Sequence, residues 1–128
     1  MIAESLAKFL RGNPAIGAVT QSIEPMRLYA DHAEPAVVYY IGEDLTERTL
    51  NGSSSLMRSS CSINCYSSSY EATQSLAEVV FSELHNYAGA FGDVTAERID
   101  AISRDDAYES ETKYHSVQLD FEIWYTLP

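Results

Sequence analysis

Hydrophobic positions along this chain recur with two periods, one near 3.6 residues and one of 2, and the switches between them outline its elements. Ile2, Leu6, Phe9 and Leu10 share a helical stripe over residues 2–11. Gly12-Asn13-Pro14 ends that stripe, and the fixed φ of Pro14 suits the opening of a short second turn. Residues 24–30 read as a short extended segment, and Asp31 to Glu34 as a loop. Pro35 can begin a strand, where its missing N–H is tolerated, and Ala36-Val-Val-Tyr-Tyr-Ile41 supplies β-branched and aromatic residues. Residues 42–55 read as a long loop or an extended hairpin tip, with Asn51-Gly52 the strongest turn signal in the chain.

Strict alternation then returns. Met57, Ser59, Cys61, Ile63 and Cys65 fall on one side of a strand, and Arg58, Ser60, Ser62 and Asn64 on the other. Ser68 and Glu71 have capping-box spacing and open the main helix, expected to run to about residue 88. Its apolar stripe is Ala72, Leu76, Val80, Leu84 and Tyr87, widened by Ala77 and Phe81, and Gly89 suits the position just past its end. Residues 90–93 read as a loop. Val94 to Ser103 reads as a strand or a short helix, its position favouring a strand with Val94, Ala96, Arg98 and Asp100 on one side; Arg104 to Thr112 reads as an acidic turn. In the last segment His115, Val117, Leu119, Phe121, Ile123 and Tyr125 oppose Tyr114, Ser116, Gln118, Asp120, Glu122 and Trp124, the signature of an antiparallel strand with one wet face. The expected fold is α+β: an antiparallel β-sheet with one long and one short helix packed on one face, in a single domain spanning residues 1–128.

The two cysteines, Cys61 and Cys65, lie four residues apart on one strand face, about 13 Å from each other. A disulfide needs Cα atoms within about 7 Å, so they cannot bond to one another, and no second pair completes a metal site. They read as buried, inert thiols. The formal net charge is -11, and the eight Lys and Arg residues form no patch. Affinity for a phosphate backbone comes mainly from such residues, so a direct nucleic-acid reader is not expected. No window is long and apolar enough for a membrane helix, and the amphipathic start, carrying Glu4, is unlike a signal peptide; cytoplasmic assembly is expected.

Catalytic patterns are missing from the sequence. The six glycines form neither a P-loop nor a dinucleotide fingerprint, and no serine sits in a nucleophile elbow. His32 reads as a solvated loop residue, His85 as solvated on the helix's polar side, and His115 as an edge or interface residue. The acidic run Asp105, Asp106, Glu109 and Glu111 lacks the spacing of a calcium loop. Asp120 and Glu122 could serve acid–base chemistry, but a polar sheet surface fits them better. No catalytic residue, cofactor or metal is expected. Nine tyrosines against four phenylalanines, with Trp124 on the polar side of its strand, point to sticky surfaces instead.

The stretches "ESLAKFLRGNPAI", "EPAVVYYIGEDLTERTLNG", "CSINCYSSSYEATQSLAEVVFSELHNY" and "YHSVQLDFEIWY" together cover most of the chain. In order and character the chain resembles the tail-completion family of tailed bacteriophages, which includes tail terminator and tail-to-head joining proteins. Cys61 and Cys65 depart from that pattern, where larger residues are usual. The resemblance implies a non-enzymatic virion component of the tail or neck, assembled in the host cytoplasm. Such a protein forms a homo-oligomeric ring, typically a hexamer, at the head-proximal end of the tail. Its expected partners are the tail tube protein, a head–tail connector or stopper protein, and double-stranded DNA passing through the lumen without specific binding; no membrane is implied. Long loops on a compact sheet often carry function, so residues 43–55 and 104–113 are the expected contact regions. Leu45, Arg48, Leu50, Tyr108 and Trp124 are the interface candidates. The alternatives are another neck component, a stopper or adaptor between portal and tail, or a small ligand-binding or enzymatic domain using Asp120, Glu122 and a histidine.

Overall fold

The computed structural model describes residues 2–20, 22–25, 33–49 and 52–126, with the side chains of 43–49 and 52–55 outside the description. The elements in chain order are helices α1 (Ile2–Gly12) and α2 (Pro14–Gly17), strands β1 (Ser22–Pro25), β2 (Ala36–Thr49) and β3 (Gly52–Ser67), helix α3 (Tyr70–Leu84), and strands β4 (Gly89–Phe91), β5 (Val94–Glu109) and β6 (Tyr114–Thr126). The strands form one six-stranded sheet in the order β1-β2-β3-β6-β5-β4, so the fold is α+β.

The alternation read from β6 holds from Val117 to Thr126, while Tyr114, His115 and Ser116 are all half-exposed. Val117, Leu119, Phe121, Ile123 and Tyr125 are buried while the intervening residues stay half-exposed. Cys61, Ile63 and Cys65 of β3 point to the same side as Val37 and Tyr39 of β2, and all join one core with Leu76, Ala77, Val80 and Leu84 of α3 and Ile2, Leu6 and Leu10 of α1. Both thiols are free and buried, and burial pushes each up to about 12. They are packing residues.

Several expectations need correction. The sheet is not wholly antiparallel, because β1 pairs with β2 in parallel from Ser22↔Ala36. Hydrogen bonds clamp the two strand starts side by side: the Thr20 hydroxyl donates towards the Ser22 and Pro35 carbonyls, and the Ser22 hydroxyl to Ala33 O. The predicted segment 24–30 is strand only at 22–25, and residues 26–30 lie outside the described residues. A third helix, α2, joins the two expected. The Asn13 side chain caps it by accepting from the Ile16 N–H at 3.0 Å and donates to Glu83 of α3 at 2.9 Å.

Helix α3 is shorter than its apolar stripe. Its cap is Ser69, whose hydroxyl accepts from the Ala72 N–H at 3.2 Å, one position after the predicted cap. At the other end, Asn86 takes φ 64 and gives its N–H to Ile99 O at 2.8 Å, turning the chain into the sheet. Gly89 therefore starts β4, and the predicted loop at 90–93 is partly a strand paired with β5.

Residues 42–49 and 52–55 are the paired strands of an extended hairpin, the second of the two readings left open, and residues 50 and 51 lie outside the described residues. β2 and β3 stay paired to Thr49↔Gly52, while β3 meets the end of β6 at Leu56↔Thr126, so the hairpin projects past the sheet as an arm. The predicted acidic turn at 104–112 is strand up to Glu109, paired to β6 as far as Glu109↔Tyr114, with the turn confined to 110–113. The face prediction for β5 fails after Ala96 for a definite reason. A register irregularity between Ala96 and Arg98 turns Ile99, rather than Arg98, into the core.

Candidate interaction surfaces

Among the described residues no group of three or more His, Cys, Asp or Glu side chains could hold a metal ion, and no helix is long and apolar enough to cross a membrane. Asp120, the strongest acid–base candidate, is used structurally. It sits on β6 between β3 and β5 and accepts from Ser62 at 2.6 Å, Ser103 at 2.8 Å and Gln118 at 3.1 Å. Partial burial works against its charge, yet these three donors hold the carboxyl below its usual range. A carboxylate stapling three strands is poorly placed to exchange protons with a substrate. His85 is not on a solvated face either: its ring stacks on Phe81 and Nδ1 accepts from the Ala101 N–H at 3.3 Å.

The surface chemistry concentrates at two ends of the sheet. At the arm end one cross-strand row runs Leu45↔Arg58↔Trp124↔Arg98 across β2, β3, β6 and β5. The Trp124 ring lies between two guanidinium groups, Arg58 at 5.4 Å and Arg98 at 5.6 Å from its centroid. Glu122 lies 3.8 Å from Arg58, and Asp100 lies 3.0 Å from Arg98. The Trp124 Nε1–H is shielded from solvent and has no acceptor among the described residues. Trp and Arg are both enriched among the residues that dominate binding between proteins.

At the opposite end lies Tyr108. Its ring packs at 4.7 Å on His115, which also meets Tyr70 of α3 at 5.4 Å. The large hydrophobic side chains that stand exposed among the described residues are Tyr70 (57%), Tyr108 (54%) and Ile102 (61%), and all three lie on or beside the second half of β5. Ile102 sits at a second irregularity of β5, between Ala101 and Ser103, and borders a groove of about 370 Å³ lined also by Glu78, Phe81, Arg104 and Leu119. Arg104 spans this groove, binding Glu78 at 3.0 Å, Gln74, and Asp106 at 3.1 Å. The Gln74 amide in turn donates to Asp106 at 3.0 Å; with the Arg104 bond, and against slight burial, it keeps that carboxyl below its ordinary range.

The structure thus places Leu45 and Trp124 in one row, and Tyr108 at the far end of the β5–β6 hairpin. Arg48 pairs with Ser53 near the arm's tip, and Leu50 lies outside the described residues, as does His32. Sequence reasoning missed Ile102 and Tyr70. Neither breaks a period strongly, and only the irregularity after Ala101 turns Ile102 outward.

Over residues 4–126 the chain matches the family model described as tail completion protein gp17. The chain belongs to that family. A tail completion protein is a structural part of a phage tail rather than an enzyme, and its place is in the virion's tail and neck region. Consistent with this, the fold is similar to a chain in a solved structure titled virion of native gene transfer agent (GTA) particle. That likeness has a TM-score of 0.65 at 9% identity and covers 98% of this chain and 91% of the other. No curated protein sequence matches the chain.

Proposed function

We propose that this tail completion protein forms a head-to-tail ring, typically of about six copies, at the head-proximal end of the tail. The ring ends tube growth, presents a docking surface to the neck, and lets DNA pass through its lumen. Family membership across residues 4–126 is the observation that carries this reading. The geometry supports it. A heterologous ring needs two different surfaces on each copy, and the Arg58–Trp124–Arg98 row on the polar side of the sheet offers one that differs in chemistry from the rest of the body. With both helices on one face, as proposed from the sequence, the opposite face of the sheet is left for neighbours. A net charge of -11 suits a channel that repels a polyanion.

The projecting β2–β3 arm is the proposed contact to an adjacent ring through Arg48 and Leu50, with Leu45 at its base in the Trp124 row; Tyr108 and Trp124 serve contacts on the body. A Leu50→Asp chain should fold with unchanged thermal stability yet leave heads and tails unjoined when it replaces the natural chain during infection. Normal infectious titre from that variant would contradict the assignment. A stopper or adaptor between portal and tail is the second reading, favoured by the same family membership, and the position of the protein in imaged particles separates the two.

A further inference from the structure

The outer edge of β5 changes character at Ile102. Up to that point it is sealed. β4 pairs with residues 94–96, the Asn86 N–H donates to Ile99 O, and His85 Nδ1 accepts from the Ala101 N–H. From Ile102 to Glu109 no strand among the described residues pairs with the outer side, although β6 holds the inner side in register from Ser103↔Asp120 to Glu109↔Tyr114. An open strand edge is a row of backbone donors and acceptors ready for another chain. Here it is held straight by β6 and braced from behind by Arg104 and Asp106, whose side chains reach back to Gln74 and Glu78 of α3.

Three further features describe what fits that edge. The groove of about 370 Å³ beside Ile102 is walled by Phe81 and Leu119, so it takes an apolar side chain. Tyr108, on the other end of the open stretch, offers an exposed ring. Between and beyond them stand Asp105, Asp106, Glu109 and Glu111, against Lys113 and an Arg104 already bound to two acidic side chains. The strip is therefore apolar at its ends and acidic along its length. A second copy of this chain, itself at -11, is a poor match for it, because like charges across a strand pair are destabilising.

We infer that the β5 edge from Ile102 to Glu109 is a docking site for an extended segment of a different protein, one alternating basic with apolar residues. That segment adds a strand to the sheet, places an apolar side chain in the Ile102–Phe81–Leu119 groove, and sets Lys or Arg against the carboxylates. Backbone pairing supplies affinity and the groove and charges supply selection. The inference stands without a ring: it requires only that this chain docks on another component.

The test uses the full chain and a labelled peptide of about nine residues alternating Lys and Val, long enough for one strand. A second peptide of the same sequence carries N-methyl groups on alternate backbone nitrogens. The expected result is binding of the first peptide, with amide-exchange protection appearing at 102–109, and about tenfold weaker binding of the second. Ile102→Asp and the pair Asp105→Lys with Glu109→Lys should each weaken binding about tenfold, while Glu4→Lys with Glu24→Lys, remote from this edge, should leave it unchanged. These side chains are exposed or at an edge, and melting curves check that each variant folds. Equal binding of both peptides, protection elsewhere, or equal sensitivity to the remote pair would overturn the inference. So would concentration-dependent protection of 102–109 in the protein alone, which would make the occupant a second copy.

Discussion

Single residues in this chain do structural work where a first reading finds chemistry. Asp120 gathers Ser62, Ser103 and Gln118, and so ties the three central strands on the polar side of the sheet. Its carboxyl is lower in the folded chain than in the unfolded one, so the stability it contributes is complete above the ordinary carboxylate range. That stability is lost as pH falls through the lowered folded value. Asp120→Asn should cost about 1 kcal/mol near neutral pH, a figure kept small because the site is half open to solvent. Melting curves taken across acid pH should show the gap from the natural chain closing as pH falls; a gap that widens would contradict the staple. Cys61 and Cys65 were legible from the sequence, because strand spacing alone forbids a bond between them. His85 was not. Its place on the polar side of a helical projection says nothing of the Ala101 N–H that the next strand brings to it.

The elements were legible where periodicity was strong and obscure where backbone irregularity decides. β6 alternates without interruption from Val117 onward, and its faces there could be assigned residue by residue. β5 defeats the same reasoning because two irregularities, after Ala96 and after Ala101, each shift its faces. Sequence alternation has no signal for an inserted residue, so Ile99 and Ile102 could not be placed. Its acidic half reads as a turn because Asp and Glu favour strands poorly, and it becomes a strand through pairing with β6. Turns are set by close approaches that sequence also hides. Gly92, at φ +59 between β4 and β5, passes so near α1 that a Cβ there would meet Ser5 Cα at 2.5 Å. Lys8 and Asp93 pair at 2.9 Å beside it. Gly92→Ala should therefore destabilise the chain by about 2 kcal/mol or more, measured by denaturant titration, since both the dihedral and the backbone contact oppose a side chain. A loss below about 0.5 kcal/mol would mean that α1 does not seat on this turn as described.

The whole molecule combines one continuous core with two unlike surfaces. The α+β class followed from the sequence, and so did the long terminal strand with its one apolar face, but not its place between β3 and β5. The parallel β1–β2 pair did not, because strand direction there depends on where Thr20 and Ser22 anchor the chain near Pro35. Nor did the arm's length, which only the continued pairing of β2 with β3 beyond the end of β6 reveals. Assembly follows from this asymmetry: the open, acidic β5 edge is left for a different protein, and the stacked Trp124 row at the arm end is left for contacts between copies of the chain. The central claim is that such contacts close a ring on the end of a tail. The most direct measurement is the native mass of the purified protein, alone and mixed with tail tubes, with electron microscopy of the same samples. The account predicts rings of about six subunits seated on one end of each tube and tubes that stop growing once capped. A protein that stays monomeric at high concentration and leaves the tubes bare and still growing would contradict it.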